Sequence, residues 1–128
     1  MDRRRRLEYD HGATAANDAE EGVVPGPRLA VAGAYLSITG GGGDATWFHQ
    51  FLSLPSVDYL ADTADEVRKM GRRHLKRGAD FLKMIATGAV LSQGDDPGAQ
   101  AYADDEIRAA VEVARAGGTY LAAHAHGA

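Results

Sequence analysis

Two periods run through the apolar positions of this chain. At Val67, Met70, Gly71 and His74 the spacing of three and four residues predicts a helix with one inward face. Its start is marked by Thr63-Ala64-Asp65-Glu66, a capping-box pattern in which hydroxyl and carboxylate take the first unpaired amides, and its end falls near Arg77, before Gly78. A second helix follows from Ile107, Val111 and Ala114, capped by Asp104 or Asp105 and closed by Gly117. Between and after them lie short apolar runs of strand length, Asp80 to Gly88 and Thr119 to Ala123. The first is apolar on both faces, as in a parallel strand covered by helices on both sides.

Upstream, residues 13–21 are alanine-rich and predict a short helix closed by Gly22. Val23-Val24-Pro25-Gly26-Pro27 breaks it, because neither proline can continue a helix. This connector feeds Arg28-Leu29-Ala30-Val31-Ala32-Gly33, a candidate buried strand, and residues 39–55 form a long glycine-rich loop. Gly94 to Gly98 is a further loop. Strands alternating with helices imply parallel crossovers, hence an α/β architecture of about three parallel strands with flanking helices. The pattern alone fits an open doubly wound sheet or a piece of a (β/α) barrel.

The chain has 128 residues, 45% hydrophobic and 25% charged, enough for one domain at most. Its net charge of -4 leaves no broad basic face for nucleic acid. The block Arg3 to Arg6 sits among Asp2, Glu8 and Asp10, so residues 1–12 are expected to form a frayed, solvated tail and residues 13–128 the domain. Without cysteine there can be no disulfide, thiolate metal site or cysteine nucleophile. No apolar run approaches the roughly 20 residues of a membrane span, and no signal-peptide pattern follows the arginines. The expected setting is cytoplasmic, with no nucleic-acid or membrane partner.

Ligands of α/β folds bind where strands end at their carboxyl termini. His124 and His126 arrive there on the last strand, two residues apart and therefore on one face, which suits a metal or an anion. Lys83 lies among Leu82, Met84 and Ile85. An ammonium buried there would tend to neutralise, and a neutral amine can form a Schiff base or capture carbon dioxide as a carbamate. The alternatives are a lysine whose amine reaches solvent at the strand end or pairs with Asp80. Gly40 to Gly43 could cradle an anion with its amides, but lacks the ending of a P-loop and the spacing of a dinucleotide fingerprint. Its other role is to let the backbone bend closely around a bound group. His11, His49 and His74 have no partner spacing and are expected to be structural or solvated.

Four blocks carry a resemblance: Val24-Pro25-Gly26-Pro27-Arg28-Leu29, Ile38 to Asp44, Gly78 to Gly88, and Ala122-Ala123-His124-Ala125-His126-Gly127. In order and spacing they resemble the central part of metal-dependent amidohydrolases of the imidazolonepropionase-like and Xaa-Pro dipeptidase (prolidase-like) group, across roughly residues 20–128. The resemblance implies a (β/α)8 TIM-type barrel with one or two divalent metals, usually zinc, hydrolysing carbon-nitrogen bonds of a small amide or dipeptide. It implies that Lys83 is carboxylated and bridges the metals, that His124 is a metal ligand, and that His126 faces the substrate. It assigns no catalytic residue beyond these.

Two departures stand out. Gly42 occupies a position where the family usually carries a histidine that helps hold the substrate. The family's other ligands come from a His-x-His on the first strand, a histidine on the sixth and an aspartate on the eighth, and none of these is matched here. A complete barrel also needs roughly 250 residues. The chain is therefore expected to be an internal fragment, weak in metal affinity and inactive alone. The alternatives are a truncated or split-gene product that associates with the missing barrel segments or with itself, and a small α/β module that binds an anion through its glycine-rich loop.

Overall fold

A computed structural model describes residues 16, 18–44, 59–90 and 96–126. Helix α1 spans Ala64–Lys76, and the Thr63 hydroxyl accepts the Glu66 amide at 3.2 Å. The Glu66 carboxylate turns back to the amide of Asp62 at 2.9 Å, so the cap closes one residue earlier than the usual box. Val67, Gly71 and His74 are buried along one face of α1, and Met70 packs beside them. The structural reading of His74 thus agrees with its place in the interior. His11 and His49 lie outside the described residues.

Helix α2 spans Asp104–Ala116 and is capped by Ala103, not by Asp104 or Asp105. The Glu106 carboxylate accepts the Ala103 amide at 2.7 Å, which satisfies the cap without a polar side chain at the cap position itself. Asp104, Asp105 and Glu106 then all fall in the first turn, where the helix dipole favours negative charge.

Strands β1 (Leu82–Ile85) and β2 (Leu121–His124) pair in parallel, with Leu82 opposite Leu121 and Ile85 opposite His124. The other edge of β1 meets Leu36, whose amide donates to Lys83 O and whose carbonyl accepts from Ile85 N. Ser37 in turn pairs in parallel with Leu60. The rungs therefore run Leu60, Leu36–Ser37, β1, β2, all in one direction.

That order corrects the candidate strand at 28–33. Prolines 25 and 27 keep the approach extended and in solvent, and Leu29 stays 47% exposed. Val31 exchanges two bonds with Asp80, its amide to the carboxylate and its carbonyl to the Asp80 amide, which brackets the start of β1 from outside the ladder. The strand position falls a few residues later, at Leu36. The short helix ahead of it is described only at Ala16 and 18–20, and it does end at Gly22, which takes a positive φ of 72°. Residues 1–15, which include the expected tail, 45–58 within the long loop and 91–95 fall outside the described residues.

Leu82 and Met84 point to the layer of α1 and α2, where Leu36, Val67, Ala109, Ala110 and Val113 close around them. Gly71 lets the helices approach: a Cβ there would stand 3.1 Å from both Leu82 and Val113. Covering on both faces, expected for β1, does not occur among the described residues. Lys83 and Ile85 alternate with Leu82 and Met84 and are only half-buried. No helix among the described residues is long and apolar enough to cross a membrane.

Tyr102 is 1% exposed, and its hydroxyl has no hydrogen-bond partner among the described residues. Burial first, then the Glu106 and Asp62 carboxylates, push its phenol well above the ordinary value. A raised acid of this kind contributes stability that is intact below its unfolded value of 10.0 and is lost as pH climbs beyond it. Tyr102→Phe, which removes an orphaned hydroxyl, should leave the chain unchanged or up to about 1 kcal/mol more stable, with a shallower loss above pH 10. Urea melts at neutral and alkaline pH check this; a clearly destabilised phenylalanine variant would show that the hydroxyl has a partner after all.

Candidate functional site

Parallel register decides which side chains share a face. With Lys83 opposite Ala122 and Ile85 opposite His124, the four residues Lys83, Ile85, Ala122 and His124 lie on one side of the sheet, away from the helices. Neighbouring strands sit about 4.8 Å apart and two residues advance about 6.6 Å, so Lys83 Cα and His124 Cα are separated by about 8 Å. A lysine stem and an imidazole can span that gap together. Lys83 makes no ion pair or side-chain hydrogen bond with another described residue.

His124 ends β2 with its Nε2 buried and without a hydrogen-bond partner among the described residues. A buried imidazole nitrogen left open in this way is unusual, because such groups are normally satisfied. His126 stands beyond the strand, its ring edge-on to that of His124 with centroids 4.5 Å apart. The sequence expectation that the two rings share a face agrees with this contact.

The described residues hold no group of three or more histidine, aspartate, glutamate or cysteine side chains able to grip an ion. Their donors fit a metal as part of a ligand set: the open Nε2 of His124, with Lys83 on the same face. A zinc site normally takes three or four protein ligands, so this set is incomplete. Below these groups, at the amino ends of the strands, Phe81 stacks on Tyr120 with centroids 4.9 Å apart and planes 9° from parallel.

The glycine-rich segment folds inward upon its own chain. Gly41 N–H donates to Ile38 O, Gly43 N–H to Ser37 Oγ, Asp44 N–H to Gly41 O, and Gly40 N–H to the Asp44 carboxylate at 2.8 Å. These amides are already engaged, one of them by a carboxylate standing where an incoming anion would. The anion-cradle alternative loses its donors, and the group around which the backbone bends is internal: Tyr35 and Ser37. Tyr35 donates its hydroxyl to Gly43 O at 2.8 Å and packs against Tyr59. Burial, then nearby Asp44, raises the Tyr35 phenol. Burial, then Tyr35 and Asp44, does the same for Tyr59. Thr39 is moored separately, through amide and hydroxyl, to the Asp62 carboxylate at 2.7 Å each.

Sequence reasoning missed Thr87, Ser37 and Asp62. Thr87 sits at the end of β1 with its hydroxyl accepting the His126 amide at 3.0 Å. No spacing rule marks a lone threonine or aspartate as a tether. A groove between α1 and α2, lined by Arg68, Arg72, Leu75 and Glu112, lies on the helix side of the sheet and shares no residue with this set.

The chain is similar to known proteins in sequence and in fold. The model of the amidohydrolase family matches residues 6–128. Ochratoxinase of Aspergillus niger is 29% identical over 137 aligned residues, covering 91% of this chain and 27% of that protein. The crystal structure of an amidohydrolase superposes with a TM-score of 0.80 at 39% identity, covering 91% of this chain and 30% of the other. A Xaa-Pro dipeptidase with methionine bound in its active site gives a TM-score of 0.85 at 29% identity, covering 94% and 31%. The chain thus spans under a third of each relative's length. Of the two architectures left open by alternation, these structural neighbours identify the barrel.

Proposed function

The chain belongs to the amidohydrolase family, and on that premise we propose that it supplies one section of a metal-dependent barrel that hydrolyses carbon-nitrogen bonds in small amides or dipeptides. The observation that carries this is the register that sets Lys83 and the open Nε2 of His124 on one face of adjacent parallel strands. Lys83 would hold the metal after its amine captures carbon dioxide and releases a proton, giving a carbamate. His124 would offer Nε2, and His126 would meet the substrate beside it. The metal, zinc in this reading, supplies Lewis acidity toward the amide carbonyl when bound.

The chain's own residues do the remaining work. Phe81 and Tyr120 line the lower end of the face with apolar surface, and Ile85 stands beyond Lys83 at the carboxyl end of β1. With Lys83 and His124 as the two metal ligands among the described residues, metal affinity is weak and the isolated chain turns over no substrate at an enzymatic rate. A second reading, a segment that works only with partner segments or a second copy, is favoured by β2. It is hydrogen-bonded along one edge to β1, while Ala123 on its helix-side face is exposed.

Zinc titration followed by the ring resonances of His124 tests the ligand assignment. Binding should weaken at least about tenfold in His124→Ala, the scale that even supporting groups around a metal command. A chain indifferent to zinc, or one whose affinity survives that substitution, overturns the assignment. Separately, turnover of a Xaa-Pro dipeptide by the zinc-loaded chain at about 1 per second or faster would refute its predicted inactivity.

A further inference from the structure

The hydrogen-bond ladder between β1 and β2 changes partner at one point. Ala86 N–H donates to His124 O at 2.9 Å. In a regular parallel ladder the next amide on that edge, His126 N–H, would return to Ala86 O. Ala86 O instead accepts from Ala101 N at 2.9 Å, where residues 99–101 fold back antiparallel against the end of β1 and Thr87 pairs with Gln100. His126 N–H takes the Thr87 hydroxyl at 3.0 Å in place of that carbonyl.

We propose that Thr87 is a positioning residue, whose hydroxyl stands in for the diverted Ala86 carbonyl and aims the His126 imidazole against His124. Three observations converge on it. Thr87 is buried, it follows Lys83 and Ile85 on the same alternating face, and its hydroxyl is oriented by donating to Gly88 O at 3.3 Å, which leaves oxygen lone pairs for the His126 amide. Residues 125–126 lie beyond the end of β2, and the two rings meet edge-on, with planes 77° apart. The importance of this aim for substrate contact rests on the function proposed above; the tether itself does not.

Amide exchange in the isotope-labelled full chain tests it without any metal. In the native chain His126 N–H should exchange at least about tenfold more slowly than Ala125 N–H, for which no partner is seen among the described residues. Thr87→Val removes the acceptor while keeping the shape. It should raise His126 exchange at least about tenfold and abolish the ring-to-ring nuclear Overhauser effect between His124 and His126, while α1 and α2 amides stay protected. Thr87→Ser should restore both signals. An unprotected His126 amide in the native chain, a valine variant with the ring contact intact, or a folded serine variant that restores nothing overturns the proposal. If the valine variant unfolds, the native exchange rates and the serine variant still decide the matter. A protected amide and serine rescue in a chain that ignores zinc would support the tether and count against the metal assignment alone.

Discussion

Met84→Ala should cost about 2–5 kcal/mol of folding stability, the range for emptying a buried long apolar side chain. Met84 is fully buried and bridges opposite Leu36, with Val67, Ala109 and Ala110 in the same cluster. Every layer of the molecule meets at this side chain: the sheet through its backbone, both helices through its surroundings. Small domains hold only about 5–15 kcal/mol in all, so the alanine chain should be largely spent near room temperature in mild urea. Met84→Leu, which keeps the volume, should cost less than about 1.5 kcal/mol. Urea midpoints of the three proteins give the comparison. An alanine variant within about 1 kcal/mol of the native chain would show that this face is not the core.

The second large effect is expected at Gly43. A Cβ there would fall 2.5 Å from Tyr35 Cε2 and 2.8 Å from both Ser37 Cβ and Oγ. Ser37 is 1% exposed, and Tyr35 is held by the very carbonyl that Gly43 provides, so neither neighbour can swing away cheaply. Gly43→Ala should therefore cost about 1–3 kcal/mol and break the Tyr35 hydroxyl bond. Gly40 offers a contrast: it has open space around its Cβ position but a φ of 75°, so alanine there meets backbone strain and no neighbour. Thermal melts with tyrosine absorbance read both; equal stability of Gly43→Ala and the native chain would mean the turn does not pack as described.

The helices were legible because their signals are local. The capping pattern at Thr63 to Glu66 and the spacing of Val67, Gly71 and His74 gave α1 to within a residue of its observed limits. The cap of α2 lies one residue before Asp104 and two before Asp105, since a glutamate three positions on can satisfy the amide of an alanine that offers nothing itself. The strand at Leu36 was hidden for a different reason. Only two residues pair, Ser37 breaks the apolar run, and the longer stretch at 28–33 looked more strand-like while being held outside by Asp80. Leu82 to Ile85 is apolar apart from Lys83, and among the described residues only Leu82 and Met84 meet helices, while Lys83 and Ile85 stay half-buried on the other face.

Of the candidate site, residue types and their spacing predicted Lys83, His124 and His126, but their convergence on one face required strand register, which no single segment encodes. Thr87 was beyond sequence reasoning altogether. Its role depends on Ala86 O being claimed from residue 101, fifteen positions away along the chain.

The self-satisfied turn at 40–44 also has an outward consequence. Asp44 within the turn and Asp62 close behind it at Thr39 place two carboxylates on that rim of the fold, and residues 35–44 contain no basic side chain. A group bearing phosphate or carboxylate finds no basic side chain among residues 35–44, whereas a neutral or cationic group meets carboxylate oxygens there.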